Sequence, residues 1–352
     1  MRRIIALLAL LMASAACGRG APPAGDGDTA IPGDTVRLLT HDSFLVSEEV
    51  LAAFTAATGL EVEVLPAGDA GSMVNQAVLT AGNPVADVLF GVDNTFLSRA
   101  LEADLFLPYQ SPARAGLIDG LGVDPRVTPI DFGDVCVNYD RAAFDGTPPP
   151  ASLADLVEPA YRSMLVVEDP ATSSPGLAFL LATIATFGET GDYTWRDYWA
   201  GLRANDVRIT AGWEEAYYGA FSGGSGEGDR PLVVSYASSP AAEVIYSEEP
   251  LAEAPTGVVT DGCFRQVEYA GILRGTPREA AARALVDFLL SERFQEDIPL
   301  NMLMYPALAS ADLPAEFVAH ATVPSAPLTI DPAAIEANRL RWTEEWASVV
   351  LP

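Results

Sequence analysis

The chain has 352 residues, 49% of them hydrophobic, and its 48 acidic against 20 basic side chains leave a formal net charge of −28 at pH 7. Such a surplus repels nucleic acid and anionic lipid headgroups, which excludes DNA and RNA as partners. It suits either a cationic small ligand or plain surface solubility in a salty habitat.

At the start of the chain, Arg2 and Arg3, the apolar residues 4–12 and the small-residue stretch Ser14-Ala15-Ala16-Cys17 have the layout of an export signal. The apolar run is too short to cross a hydrocarbon core of about 30 Å. A cysteine at the cleavage point resembles a bacterial lipobox, although Ser14 replaces the usual aliphatic residue; an ordinary secretory signal is the alternative. The expectation is a lipoprotein signal over residues 1–17, lipidation at Cys17 and membrane anchoring at the cell surface or in the periplasm. Losing residues 1–16 removes two arginines and no acid, so −28 becomes −30. Residues 18–33 lack an apolar period and are rich in Gly, Pro and Asp, as expected of a flexible tether. The rest is long enough for two lobes.

Residues 36–40 (VRLLT) predict a strand leading to His41, Asp42 and Ser43. Ser47 reads as a helix N-cap, with Glu48 and Glu49 in the first turn, Val50, Leu51 and Phe54 at helical spacing, and Gly59 as the stop. Residues 60–65 (LEVEVL) alternate as a half-buried strand does. A second helix is expected over 72–81, a third strand over 87–91, and a further helix capped by Thr95 and running toward Ala103. This β-α-β-α-β order predicts an open, largely parallel sheet, whose ligands bind beyond the carboxyl ends of the strands. Residues 41–43, 68–72 and 91–94 fall there, each with carboxylate or small polar groups.

The pattern repeats. A strand over 164–167 leads through Ser173, Ser174, Pro175 and Gly176 into an apolar helix over 177–187. That helix start suits an anion or a polar ligand end, or simple N-capping. Strands over 207–210 and 232–235 deliver Trp213, and Tyr236 with Ser238 and Ser239. Between the lobes, residues 128–138 (TPIDFGDVCVN) and 262–269 (GCFRQVEY) are β-like and each holds a cysteine. They are expected to be crossing hinge strands. Cys136 and Cys263 can pair in an oxidising compartment, joining and stiffening those strands; without nearby histidines they make a poor metal site. Residues 147–150 (TPPP) predict a surface loop and 223–229 (GGSGEGD) a flexible one, with no Lys-Ser or Lys-Thr to make it a phosphate cradle.

Eight segments occur in the order found in one family: THDSF (40–44), ADVLFGVDN (86–94), PIDFGDVCVNYD (129–140), EDPATSSPGLAFL (168–180), ITAGWEEAY (209–217), VVSYASSPA (233–241), IPLNMLMYP (298–306) and RWTEEW (341–346). On these the chain resembles the thiamine-binding proteins of bacterial ABC importers. The resemblance implies an α/β, two-lobed type II periplasmic binding protein of the Venus-flytrap kind, with two crossing hinge strands. Lobe I would comprise 34–130 and 268–352, and lobe II 131–267. A monomer would close on thiamine or thiamine phosphate and pass it to a membrane permease driven by a separate ATPase. Trp213 and Tyr236 match an aromatic clamp, Asp69 a polar contact, and Ser173 and Ser174 contacts to the phosphate or hydroxyethyl end. Thiamine's fixed charge and flat rings favour carboxylates and aromatic faces. His41, Asp42 and Asp93 are further expected contacts; His41 is otherwise a loop residue, and the two aspartates otherwise cap helices. Three positions depart from the family: His41 and Ala242 replace tyrosines, and Leu303, also expected at the ligand, replaces a tryptophan.

GxSxG, HExxH and CxxC are absent, and His320 has no nucleophile motif beside it, so neither enzyme activity, cofactor nor metal site is expected. The rival cargo is ferric iron, or another small cation or polyamine, on the same fold. Tyr217-Tyr218 would serve iron, but helix neighbours point about 100° apart, so only one should face the cleft.

Overall fold

The computed structural model describes residues 35–122 and 124–351; the signal segment, Cys17 and the tether lie outside the described residues. The expected alternation of strands and helices is present. The strands are β1 (Thr35–Thr40), β2 (Glu61–Pro66), β3 (Val88–Asp93), β4 (Thr128–Asp140), β5 (Leu165–Glu168), β6 (Arg208–Thr210), β7 (Leu232–Tyr236), β8 (Thr256–Ile272) and β9 (Tyr305–Pro306). Their order in the sheet is β2-β1-β3-β8-β4-β7-β5-β6, with β9 on β4. Two parallel triplets, β2-β1-β3 and β7-β5-β6, are therefore separated by the antiparallel pair β8-β4. Strand β3, apolar up to its closing Asp93, is buried at every position, as a strand covered on both faces must be. The two crossing segments are longer than expected, 13 residues in β4 and 17 in β8, and they join the two halves.

Local chemistry sets the helices. In α1 (Glu48–Thr58), Gly59 at φ 74° ends the helix as expected. The helix α2 (Ala70–Leu79) starts two residues earlier than expected because the Asp69 carboxylate accepts from the Ala70 N–H at 2.7 Å. The start of α3 (Leu97–Glu102) corrects the assignment of Thr95 as cap. Asp93 Oδ1 instead accepts from the N–H groups of Thr95 (2.6 Å) and Phe96 (3.2 Å). The helix α4 (Ser174–Phe187) is buried from Ser174 through Ile184, which explains its lack of a polar face. Helix α5 (Trp195–Ala204), which the sequence reading left out, opens on a Thr194–Asp197 capping box. A π-helix over Glu215–Ala220 follows β6, and α6 (Ser239–Ile245) follows β7.

The expected lobe I includes all of 268–352, and the packing beyond residue 315 reaches both halves. Ala315–His320 lies against α6, and the final helix Pro332–Val350 lays Trp346 on Trp199 of α5 at 5.5 Å while also packing on α3. One expectation is corrected. The loop 223–229 is hydrogen-bonded rather than free: Glu227 N–H donates to Tyr218 O at 2.8 Å and Gly228 N–H to Phe221 O at 2.8 Å. Those bonds tie it to the π-helix. Cys136 and Cys263 face each other across β4 and β8, with Cα atoms 4.4 Å apart and their sulfurs within bonding distance. Among the described residues no helix is long and apolar enough to cross a membrane.

Candidate functional site

The carboxyl ends of both parallel triplets point at one cavity, open to solvent. The end of β1 supplies His41 and Asp42, and the start of α2 supplies Asp69. From the other half come Ser174, Trp213, Tyr236 and Ser238. Glu268 of β8 lines it too, and Leu303 stands on one wall, at a strained φ of 61°.

Asp69 is shared between the halves. Besides capping α2, its carboxylate accepts from the Trp213 N–H at 3.0 Å and the Ser174 N–H at 3.4 Å. It thus sits at the starts of both α2 and α4, where the helix dipoles favour an anion. Burial pushes its pKa up, against the pull of these hydrogen bonds. The helix start expected to present free N–H groups to a ligand already gives that of Ser174 to Asp69. Ser173 is fully buried and off the cavity lining, a correction to its expected contact. Ser174 and Ser238 line the cavity with buried hydroxyl oxygens that have no hydrogen-bond partner.

The aromatic clamp takes the form of a corner. Trp213 stacks on Tyr217 at 5.1 Å and 22°, which covers one indole face, and meets Tyr236 edge to face at 6.5 Å and 60°. Its Nε1 donates to Ser235 Oγ at 2.9 Å, and the Tyr236 hydroxyl accepts from Gln266 Nε2 at 3.1 Å, so both rings are held. A flat ligand ring can lie on the remaining indole face against the Tyr236 edge. Of the tyrosine pair, Tyr218 lines the cavity, whereas Tyr217 is buried and donates to Glu243 Oε1 at 2.7 Å. Ala242 lies outside the cavity, in a neighbouring pocket.

Electrostatics distinguish this cavity. Asp42, Asp69, Glu214 and Glu268 line it, and His41 is the one basic side chain among the described residues that do. Glu268 is flanked in the sheet by Asp93 on β3 and Asp131 on β4, its register partners on either side. Both neighbours are fully buried. Burial, with Glu268 alongside, pushes the Asp131 carboxyl well above its ordinary range and Asp93 up to about 7. Asp93 thus takes the capping role that was the alternative to ligand contact, and it is not among the residues lining the cavity. His41 lies 3.5 Å from Glu268, Nε2 to Oε2. Room for its ring depends on Gly91, at φ 94°, where a Cβ would come within 2.3 Å of the imidazole.

The family profile for bacterial extracellular solute-binding proteins matches residues 83–333. The chain belongs to that family. The thiamine-binding periplasmic protein of Salmonella typhimurium is 32% identical over 315 residues, covering 88% of this chain and 92% of that protein. Its counterpart from Brucella suis is 30% identical over 346 residues, covering 97% and 98%. A solved periplasmic thiamin binding protein superposes with a TM-score of 0.80 at 30% identity, covering 90% of this chain and 96% of that one. The fold of this solute-binding protein is the two-lobed type II fold expected from its sequence.

Sequence reasoning missed Glu268 and Glu214 as cavity residues; it placed Ser238 at a strand end and one of the Tyr217-Tyr218 pair at the cleft without saying which. Glu268 did leave a signal: beyond Arg265, Gln266 and Glu268 alternate with Val267 and Tyr269 at period 2, which marks one polar face of a strand. Where the lobes of this solute-binding protein meet, Gly71 is pressed against the Thr172 carbonyl, and a Cβ there would lie 2.7 Å from that oxygen. Gly71→Ala should hold the lobes apart at a cost of about 1–3 kcal/mol. Small-angle scattering should then show a larger radius of gyration than wild type under ligand-saturating conditions.

Proposed function

We propose that this solute-binding protein captures thiamine, free or as a phosphate ester, outside the cytoplasm and presents it to an ABC permease whose ATPase is a separate subunit. The observation that carries the reading is the cavity itself, one free indole face beside four carboxylates with no lysine or arginine in the lining. A flat cation satisfies both features, the ring by stacking and the fixed charge by proximity to Glu268. The named relatives point the same way. Closure of the lobes, rather than a chemical step, is the functional event, and the protein is not an enzyme. The hinge is β4 with β8; lobe I is 34–130 with about 268–314, and the final segment reaches both lobes.

Titration calorimetry with thiamine and its mono- and diphosphate tests this. Saturable binding of at least one is expected, and no heat from any of them in protein freed of co-purified ligand would sink the assignment. Ferric iron is disfavoured, because Tyr217 spends its hydroxyl on Glu243 and leaves only Tyr218 of the adjacent pair at the cavity, while the Tyr236 and Tyr246 hydroxyls are already bonded to Gln266 and to the Leu300 carbonyl.

Export through the signal, lipid attachment at Cys17, a monomeric state and a Cys136–Cys263 disulfide complete the proposal. The two cysteines close a loop of 127 residues. Replacing both by alanine should cost about 2–5 kcal/mol of stability. Mass spectrometry finding two free thiols in the exported protein would overturn the bond.

A further inference from the structure

The cavity holds one basic side chain among the described residues that line it, and its placement says how a cationic cargo would be received. His41 stands beside Glu268 at 3.5 Å, both side chains largely buried at 13% and 7% exposure. At that distance the contact is ionic rather than a firm hydrogen bond, and Nε2 has no other partner. The chain contains no lysine at all.

The groups facing His41 from the surrounding elements are all acidic or uncharged. Asp42 lies on its own loop, Asp69 at the start of α2, Glu214 ahead of the π-helix and Glu268 on β8. Phe90 of β3 closes the remaining side, its ring 5.9 Å away. Behind Glu268 stand Asp93, Asp131, Gln266 and the Tyr236 hydroxyl. Burial alone would discharge the imidazole, but Glu268 first, then Asp69 and Asp42, hold its pKa above the ordinary 6.5.

We propose that protonated His41 is the resident counter-ion of Glu268 and that a cargo with a fixed positive charge takes its place by ion exchange, so that capture expels the His41 proton. This rests on the reading of the cargo as thiamine. Two cations cannot share one buried carboxylate without repelling each other. Thiazolium cannot lose its charge, whereas imidazole can, so the proton leaves to solvent and the charge of the site is conserved. With cargo bound, burial dominates and the imidazole pKa drops below 6.5. The sign follows from linkage: proton release on binding means that affinity rises with pH, by up to about ten-fold per unit, within the window bracketing 6.5. Below the bound-state pKa, and above the free-state one, the dependence flattens. His41 therefore biases the receptor toward ligands whose charge is permanent, over neutral ring compounds of the same shape.

Calorimetry with thiamine in phosphate and in Tris, from pH 5.5 to 8.5, reads the protons released from the difference in buffer heat. Release should peak near pH 6.5 at about 0.5–1 proton per site, and His41→Gln should abolish it together with the pH slope. The chain has only two histidines, so an NMR titration resolves the His41 ring in the wild type whether or not the variant folds. Its pKa should fall when thiamine is added. Thiamine binding with no proton release and an unmoved His41 would overturn the exchange while leaving the thiamine reading intact. Undiminished release in the glutamine variant would do the same, and no binding of thiamine at any pH would overturn both.

Discussion

Replacing Glu268 by glutamine should weaken thiamine binding by about 2–4 kcal/mol, roughly 30- to 1,000-fold. The carboxylate is 5% exposed and lines the cavity, so its charge acts with little screening by water. Glutamine keeps the shape and still offers a carbonyl oxygen to Gln266 Nε2, which Glu268 Oε1 accepts from at 3.3 Å. The strand pairing of β8 to β3 and β4 is main-chain and survives. Removing one carboxylate from the row of Asp93, Glu268 and Asp131 also relieves like-charge repulsion, so the variant should melt no lower than wild type. A loss of affinity below three-fold, in protein of unchanged melting temperature, would remove Glu268 from the counter-ion role.

Trp213→Ala should abolish most of the binding, a loss of more than about 2 kcal/mol or 30-fold. The indole stacks on Tyr217, anchors to Ser235 and offers its remaining face to the cavity. Truncation removes that platform and leaves the Ser235 hydroxyl with Ser239 alone, at 2.8 Å. Trp213→Phe separates the two effects: a ring face remains and only the indole N–H is lost, so affinity should stay within about five-fold of wild type. Calorimetry on both variants checks this. Equal losses in the two would mean that the Ser235 bond matters and the stacking does not.

Much of the architecture was legible in order and period. The β-α-β alternation in 36–103, the acidic first turn after Ser47 and the stop at Gly59 are local signals, and each is met locally. The two cysteine segments were legible as crossing strands because both are β-like in pattern and lie between the two α/β halves, though each proved longer than its pattern, 13 and 17 residues. Helix α5 was legible too and was passed over: Trp195, Tyr198, Trp199 and Leu202 stand at i, i+3, i+4 and i+7, one buried helix face behind the Thr194–Asp197 box.

The site divides along the same line. Strand ends, a helix start and loop polarity pointed to His41, Asp42, Asp69, Ser174, Trp213 and Tyr236, and the family resemblance to Leu303; all of them line the cavity. They also pointed to Asp93 and Ser173, which do not. An aspartate after a strand can cap or can face a ligand, and only the position of its backbone N–H partners decides which. Glu268 was passed over because its meaning lies in its neighbours on adjacent strands, Asp93 and Asp131, 175 and 137 positions earlier in the chain.

By itself, then, the sequence determined the fold class, the hinge segments and the topological edge where a ligand binds, since periodicity, caps and strand order act over a few residues at a time. Tertiary structure alone decided which carboxylates share the cavity, that Asp69 bridges the lobes, and that His41 stands 3.5 Å from Glu268. Those are through-space matters: Coulomb energy and desolvation depend on distance and burial, and neither can be read from spacing along the chain.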